Sequence, residues 1–197
     1  MKPPSTCGVA LKEWAATVEA LEQGSQILLL RKGGLREEGK EFKPLHHQFL
    51  LYPTFEHQRE DLLKEEVRSD LGPALAQESD PGRVTFTHWA RLEEALELWD
   101  EEGVARLSPH HIWTDDYSEK RLHWKPQKPL TLMLLRVYRL PEPRSVLYVA
   151  GYGGCKSWVQ LEEEVSLGQM TPVMDQEDFQ RALDGIKDTL EPAQASA

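Results

Sequence analysis

The run Leu130-Thr-Leu-Met-Leu-Leu-Arg-Val-Tyr-Arg-Leu140 constrains the fold of this chain more than any other stretch. Its apolar residues fall at both parities, so an extended segment here has no polar face. A strand of that kind belongs in the middle of a sheet covered on both sides. Arg136 interrupts it, on the same strand face as Leu132, Leu134 and Tyr138, where an unpaired guanidinium is costly. Arg136 therefore either pairs with a carboxylate such as Glu19, Asp115 or Asp116, or points into an anion site.

The flanking sequence alternates helical and extended patterns without regular βαβ spacing, so the expected architecture is α+β, a single domain with a mixed sheet and packed helices. Leu11, Trp14, Ala15, Val18 and Leu21 recur at helical spacing, and Gly24 stops the helix expected over Leu11–Gln23. Gln26–Arg31 reads as a buried strand closed by Gly33-Gly34, Leu35–His47 as a loop and Gln48–Tyr52 as a second strand. Thr54 caps a helix with the stripe Leu63, Val67 and Leu71, and Ala74–Arg83 is a connector. Val84–Trp89 alternates as a third strand, and Leu92, Ala95, Leu96 and Trp99 predict a helix before Gly103. Pro109–His123 reads as one bent helix or two short ones, Ser145–Val149 as a strand, and Gly151–Lys156 as a glycine-rich loop. Asp175 caps a last helix with Phe179, Ala182, Leu183, Ile186 and Leu190 inside. Residues 1–10 are expected as an N-terminal tail, 11–190 as the domain and 191–197 as a disordered C-terminal tail.

Charge is unevenly spread. Glu119–Lys156 holds eight basic residues against two acids, a net of +6 in a chain of −10, which leaves −16 elsewhere. A basic segment in an acidic protein points to a local anion-binding face. Two cysteines, Cys7 and Cys155, make no disulfide framework, so the expected compartment is a reducing cytoplasm. No apolar run approaches the roughly 20 residues of a membrane span, and no membrane partner is expected.

Several motifs resemble one bacterial family: Leu11-Lys-Glu-Trp14 with Glu19, Arg31-Lys-Gly-Gly34, Tyr52-Pro-Thr54 with His57, and His111-Ile-Trp-Thr114 with Tyr117 and Arg121. Trp124-Lys-Pro126, Leu135-Arg-Val-Tyr138 and Gly154-Cys-Lys-Ser-Trp158 extend the likeness over about Leu11 to Leu190. That family is catalogued as domain of unknown function 1802. The resemblance implies no established activity. Its members sometimes adjoin restriction-endonuclease-type domains, which implies a restriction-modification setting and such a domain as partner.

The candidate ligand-binding residues are Lys120, Arg121, Trp124, Lys125, Lys128, Arg136, Gly153, Gly154, Lys156 and Ser157. Lysines and arginines interleaved with rings are the composition of single-strand nucleic-acid binders. Gly151–Ser157 lacks the P-loop glycines, since Ala150 and Cys155 stand at those positions, so it reads as a looser anion nest or a plain turn. Catalytic candidates are His57, His111, Arg121, Arg136 and Cys155, and of these His57, His111, Arg121 and Arg136 are expected to converge with the Gly153-Gly154 loop on one cleft. The histidines and carboxylates show no metal-ligand spacing, and no cofactor is expected. Glu38-Gly-Lys40 and Glu41-Phe-Lys43 match the Glu-x-Lys tripeptide of restriction-type metal sites, but sit in a loop without the upstream aspartate. Two function classes stay open: a nucleic-acid-associated accessory module that binds an anionic ligand through the basic segment, and a small metal-dependent hydrolase or nuclease using a His/carboxylate/Arg cleft.

Overall fold

The computed structural model describes residues 3–32, 46–68, 82–154 and 156–191. Gly33-Gly34, the two Glu-x-Lys tripeptides, Leu71 to Pro73, most of the Ala74–Arg83 connector, Cys155 and the tail beyond Glu191 lie outside the described residues.

Among the described residues twelve helices and strands follow in chain order. They are β1 (Thr6–Trp14), α1 (Ala15–Gln23), β2 (Leu28–Arg31), β3 (Gln48–Thr54), α2 (Glu65–Arg68) and β4 (Arg83–Leu98). After them come α3 (Glu101–Arg106), α4 (Asp115–His123), β5 (Leu130–Leu147), β6 (Trp158–Ser166), β7 (Thr171–Pro172) and α5 (Gln176–Leu190). The strands form one mixed sheet in the order β2-β5-β4-β3-β1-β6, with β7 on β5. The α+β class is borne out.

β1 and β3 are parallel, and the other pairs are antiparallel. A parallel pair needs a crossover, which α1 and β2 supply. The long β4–β5 ribbon forms the middle, as the doubly apolar run requires. Both faces are covered: Leu11, Phe49 and Leu51 join one core with α1, β2 and Phe179. Their strand neighbours Ala10, Leu50 and Tyr52 join a second core with Phe86, Trp89 and Val159. Alternation along the strands sends successive residues to opposite cores.

Three expectations need correction. Residues Thr6–Trp14 are strand where a tail and the start of a helix were expected, and the helix begins only at Ala15. Its N-terminus has no local side-chain cap; Gln58 instead offers Oε1 to the Ala16 amide at 3.0 Å. Leu92–Trp99 is not a helix, because β4 runs on to Leu98. A bulge between Leu92 and Glu94 inserts a residue into the ladder, breaks the alternation and spaces the apolar residues as a helix would. The helix expected after Thr54 is reduced to a 3₁₀ turn at Glu60–Leu62 and the short α2. Pro109–His123 resolves as two short pieces, a 3₁₀ turn at Ser108–His110 and α4. The Gly24 stop and the Asp175 cap are as expected: Gly24 has φ 74° and Asp175 accepts from the Asp178 amide at 2.8 Å.

The sheet is curled. β2 and β1 are separated by three strands in the sheet order, yet Arg31 on β2 bonds both the Lys12 carbonyl and the Glu13 carboxylate on β1. Only a sheet that bends back on itself brings those strand ends together.

Candidate nucleic-acid interface

The closing seam of the curled sheet carries the densest group of buried charges among the described residues. Glu13, Arg31 and Lys32 are all buried there. Arg31 Nη1 donates to Glu13 Oε2 at 2.5 Å and to the Lys12 carbonyl at 3.3 Å. The other Glu13 oxygen accepts the Trp14 amide at 3.0 Å. The pair is therefore satisfied by hydrogen bonds as well as by charge, the condition for two ions to stay out of water.

Helix α4 is stapled across this seam. Arg121 donates to the Leu30 carbonyl at 3.4 Å, and Lys32 donates to the Leu122 carbonyl at 2.5 Å. Burial pushes the Lys32 ammonium below its ordinary range. Tyr117 and Arg121 stand one turn apart on α4, and the guanidinium lies 4.7 Å from the tyrosine ring centre.

Rings continue from there. Tyr117 stacks on Trp113 at 5.2 Å and meets Trp14 at 5.1 Å, while Trp113 meets His111 at 5.3 Å. The segment bearing Trp113 is fixed by backbone bonds rather than by helix. Leu63 and Trp113 form a bridge, Lys64 donates to the Ile112 carbonyl at 2.9 Å, and Thr114 donates to the Leu62 carbonyl at 3.0 Å. Gln26 accepts the Ile112 amide at 2.9 Å.

Three side chains in this ladder are buried without a hydrogen-bond partner of good geometry among the described residues: His111 at both ring nitrogens, Trp113 at its indole N–H and Tyr117 at its hydroxyl. Burial, assisted by the nearby Lys64 ammonium, pushes His111 down to about 4. Burial also raises the Tyr117 hydroxyl above its ordinary range. Arg121, Glu13 and Arg31 act on it next.

On the other side of the staple lies a groove of about 290 Å³. Lys32 and Leu122 lie at the staple itself; Trp99, His123, Pro126 and Lys128 line the rest, with Asp100 and Glu101. Both acids have partners. Asp100 caps α3 through the Gly103 amide at 2.7 Å, and Glu101 meets His123 Nε2 at 2.7 Å. Trp99 is 60% exposed, and Trp124, between His123 and Pro126 in the chain, is 54% exposed. Lys125 Nζ sits 4.3 Å from the Trp124 ring centre. Large exposed indoles beside lysines are costly unless something covers them.

The residues expected to share one cleft are distributed. Arg121 and His111 belong to the same ring ladder. Arg136 is buried elsewhere: it donates to the Asp175 carbonyl at 3.0 Å and lies 4.4 Å from the Phe179 ring centre. Among the described residues it pairs with none of Glu19, Asp115 and Asp116, and the guanidinium anchors the start of α5. His57 is exposed, with φ 61°, in the turn after β3. Cys155 is outside the described residues. The glycine-rich loop presents a carbonyl rather than amides. Gly154 O accepts Lys12 Nζ at 3.3 Å and the Lys156 amide at 2.8 Å, and the Tyr152 and Gly153 amides are spent on Val149 and Ala150. The Ser157 carbonyl accepts the Lys12 amide at 2.8 Å, and Lys156 Nζ donates to the Gly151 carbonyl at 3.2 Å. The described residues of that loop pack as a turn against β1. Lys120 pairs with Asp116 at 3.1 Å on the outer surface of α4.

Of the basic segment, Arg121, Trp124, Lys125 and Lys128 gather around the staple and groove. Glu13, Trp14, Arg31, Lys32 and Trp99 join them without having been expected. The sequence signals for them were the motifs Leu11-Lys-Glu-Trp14 and Arg31-Lys-Gly-Gly34, the second with two cations at the end of an apolar strand. Among the described residues no three His, Cys, Asp or Glu side chains gather as metal ligands. No helix among them is long and apolar enough to cross a membrane.

Among solved structures the chain is similar to ASCH from Zymomonas mobilis, with 12% identity over 89% of this chain and 93% of that one and a TM-score of 0.45. A tyrosine-to-phenylalanine variant of that protein matches at 12% identity and TM-score 0.44, over 89% of this chain and 96% of that one. A serine-to-alanine variant matches at 12% and 0.45, over 92% and 98%. No curated protein matches. A family model matches residues 10–184, and the chain belongs to that family, described as a domain of unknown function (DUF1802).

Proposed function

We propose that the protein is a binding module for single-stranded nucleic acid, which lies along the groove between the end of β4 and the C-terminal end of α4. The observation that carries this reading is the pair of exposed indoles, Trp99 and Trp124, beside Lys32, Lys125 and Lys128. Indole faces stack on bases without regard to sequence, and ammonium groups neutralise phosphates. Of the two acids in the groove, Asp100 caps its helix and Glu101 meets His123, so both carboxylates are held in place beside the lysines. The remaining surface is acidic, with a chain total of −10, which confines a polyanion to this face.

The restriction-modification link implied by the resemblance draws no support from the matched family or structures, and stays outside this reading. A metal-dependent hydrolase lacks a ligand set among the described residues.

Fluorescence anisotropy with labelled single-stranded DNA and RNA over a salt series tests the reading. Binding should weaken with salt, each neutralised phosphate adding about 0.7 to the slope of log K against log salt. Trp99→Ala and Trp124→Ala should each cost roughly 1–3 kcal/mol of binding. Lys125→Ala with Lys128→Ala should flatten the slope. Failure of every oligonucleotide to bind at low salt removes nucleic acid as the partner.

A further inference from the structure

We propose that Arg121, Tyr117 and Arg31 form a receptor for a terminal phosphate monoester of the strand held in the groove. The inference rests on the groove reading for the identity of that strand. It adds a second point of contact, on the opposite side of the β2–α4 staple.

The charges decide first. Glu13 and Arg31 neutralise each other at 2.5 Å, and the second Glu13 oxygen is taken by the Trp14 amide. Glu13 thus has nothing left for Arg121, and no other carboxylate among the described residues pairs with it. The cluster therefore holds one positive charge in excess. A guanidinium has five N–H donors, and Arg121 uses a long bond of 3.4 Å to the Leu30 carbonyl and a contact to the Tyr117 side chain, whose ring centre lies 4.7 Å away, which leaves donors to spare. Such a fork matches two phosphate oxygens at once.

Donors decide next. The Tyr117 hydroxyl is buried and has no acceptor in good geometry, yet Arg121, Glu13 and Arg31 all lie near enough to act on it. A phosphate oxygen beside Arg121 supplies the missing acceptor. Arg31 adds its charge from behind without moving from Glu13. Trp14, half-buried and 5.1 Å from the Tyr117 ring, offers a face for the terminal base.

Burial then selects a strand end. An internal phosphodiester would have to lead the chain in and out past a buried hydroxyl, whereas a terminal phosphate enters alone. Arg121, Leu122 and His123 are consecutive on α4, as are Arg31 and Lys32 at β2, so a strand leaving this point runs directly into the groove.

The test uses the full chain and three hexanucleotides of one sequence, carrying a 5′-phosphate, a 3′-phosphate or hydroxyl ends, with anisotropy as the readout. One phosphorylated form should bind at least tenfold more tightly than the hydroxyl form. Arg121→Gln and Tyr117→Phe, both checked for folding by circular dichroism, should erase that preference while leaving hydroxyl-form binding in place. Equal affinity for all three oligonucleotides overturns the receptor and leaves the groove reading standing. A preference that survives in both variants overturns the residue assignment. If none of the three binds, the groove reading falls, and inorganic phosphate titrated against tryptophan fluorescence decides the receptor. A response in the native protein that Arg121→Gln abolishes upholds it, and no response ends it.

Discussion

Acidification should unfold this protein in part through one histidine. His111 is 5% exposed, its ring lies against Trp113, and neither nitrogen has a hydrogen-bond partner among the described residues. Its folded pKa is about 4, against an ordinary value of 6.5, because burial penalises the cation and Lys64 adds repulsion, which Asp115 and poorly aligned backbone contacts at Trp113 and His111 itself only partly offset. The unfolded chain therefore takes up the proton first. As pH falls through 6.5 and towards 4, each step favours the unfolded state. Linkage gives a loss of about 2 kcal/mol by pH 5 and about 3 kcal/mol by pH 4 relative to neutral pH. His111→Phe keeps a ring against Trp113 and removes the titration. Urea unfolding of both proteins at pH 7.5, 6, 5 and 4.5 measures the effect as the difference between their stabilities, which cancels the other titrating groups. The variant should gain on the native protein steadily below pH 6.5. A difference that stays flat across this range refutes a neutral, buried His111.

Other expectations follow from the same contacts. Glu13→Gln leaves Arg31 as an uncompensated buried charge and should cost about 3–5 kcal/mol in urea unfolding. Gly24→Ala places a side chain at φ 74°, with Met174 Cγ 3.0 Å from the new Cβ, and should cost more than about 1 kcal/mol. Asp175→Ala removes the cap on the Asp178 amide and should cost about 1 kcal/mol, measured by thermal unfolding.

What was legible in the sequence depended on whether the signal was local. The Leu130–Leu140 run announced a strand buried on both faces, and β5 is that strand. Asp175 and Gly24 act through their own neighbours, so their capping roles were readable too. Leu92–Trp99 misled because a bulge is a property of two strands, and its partner Leu134 lies some forty positions away. β6 drew no expectation although Val159, Leu161 and Val165 face inward: Glu162-Glu163-Glu164 overlays its alternation with the polar surface of an edge strand. The site suffered the same way. Arg121, Trp124, Lys125 and Lys128 were visible as a basic, aromatic segment. Glu13 and Arg31 stood inside the quoted motifs, but nothing marked them as a pair until the sheet curls and brings the ends of β1 and β2 together.

That curl also explains why the candidate interface lies where it does. A sheet that curls until the ends of β2 and β1 approach without sharing a ladder leaves strand-end backbone groups unpaired at the gap, and burying them unpaired is costly. Here side chains close the gap. Arg31 takes the Lys12 carbonyl and Arg121 takes that of Leu30, while Lys32 ties the seam to α4 through the Leu122 carbonyl. Three cations do this work against one buried acid, Glu13, so closing the seam leaves it electropositive as a matter of course. Cations were needed because the free groups are carbonyls, which only donors can satisfy. A positive seam flanked by Trp14, Trp99 and Trp124 then follows from the architecture. Stability and anion affinity draw on the same residues here, so a substitution at Arg31 cannot separate them, whereas one at half-exposed Arg121 can.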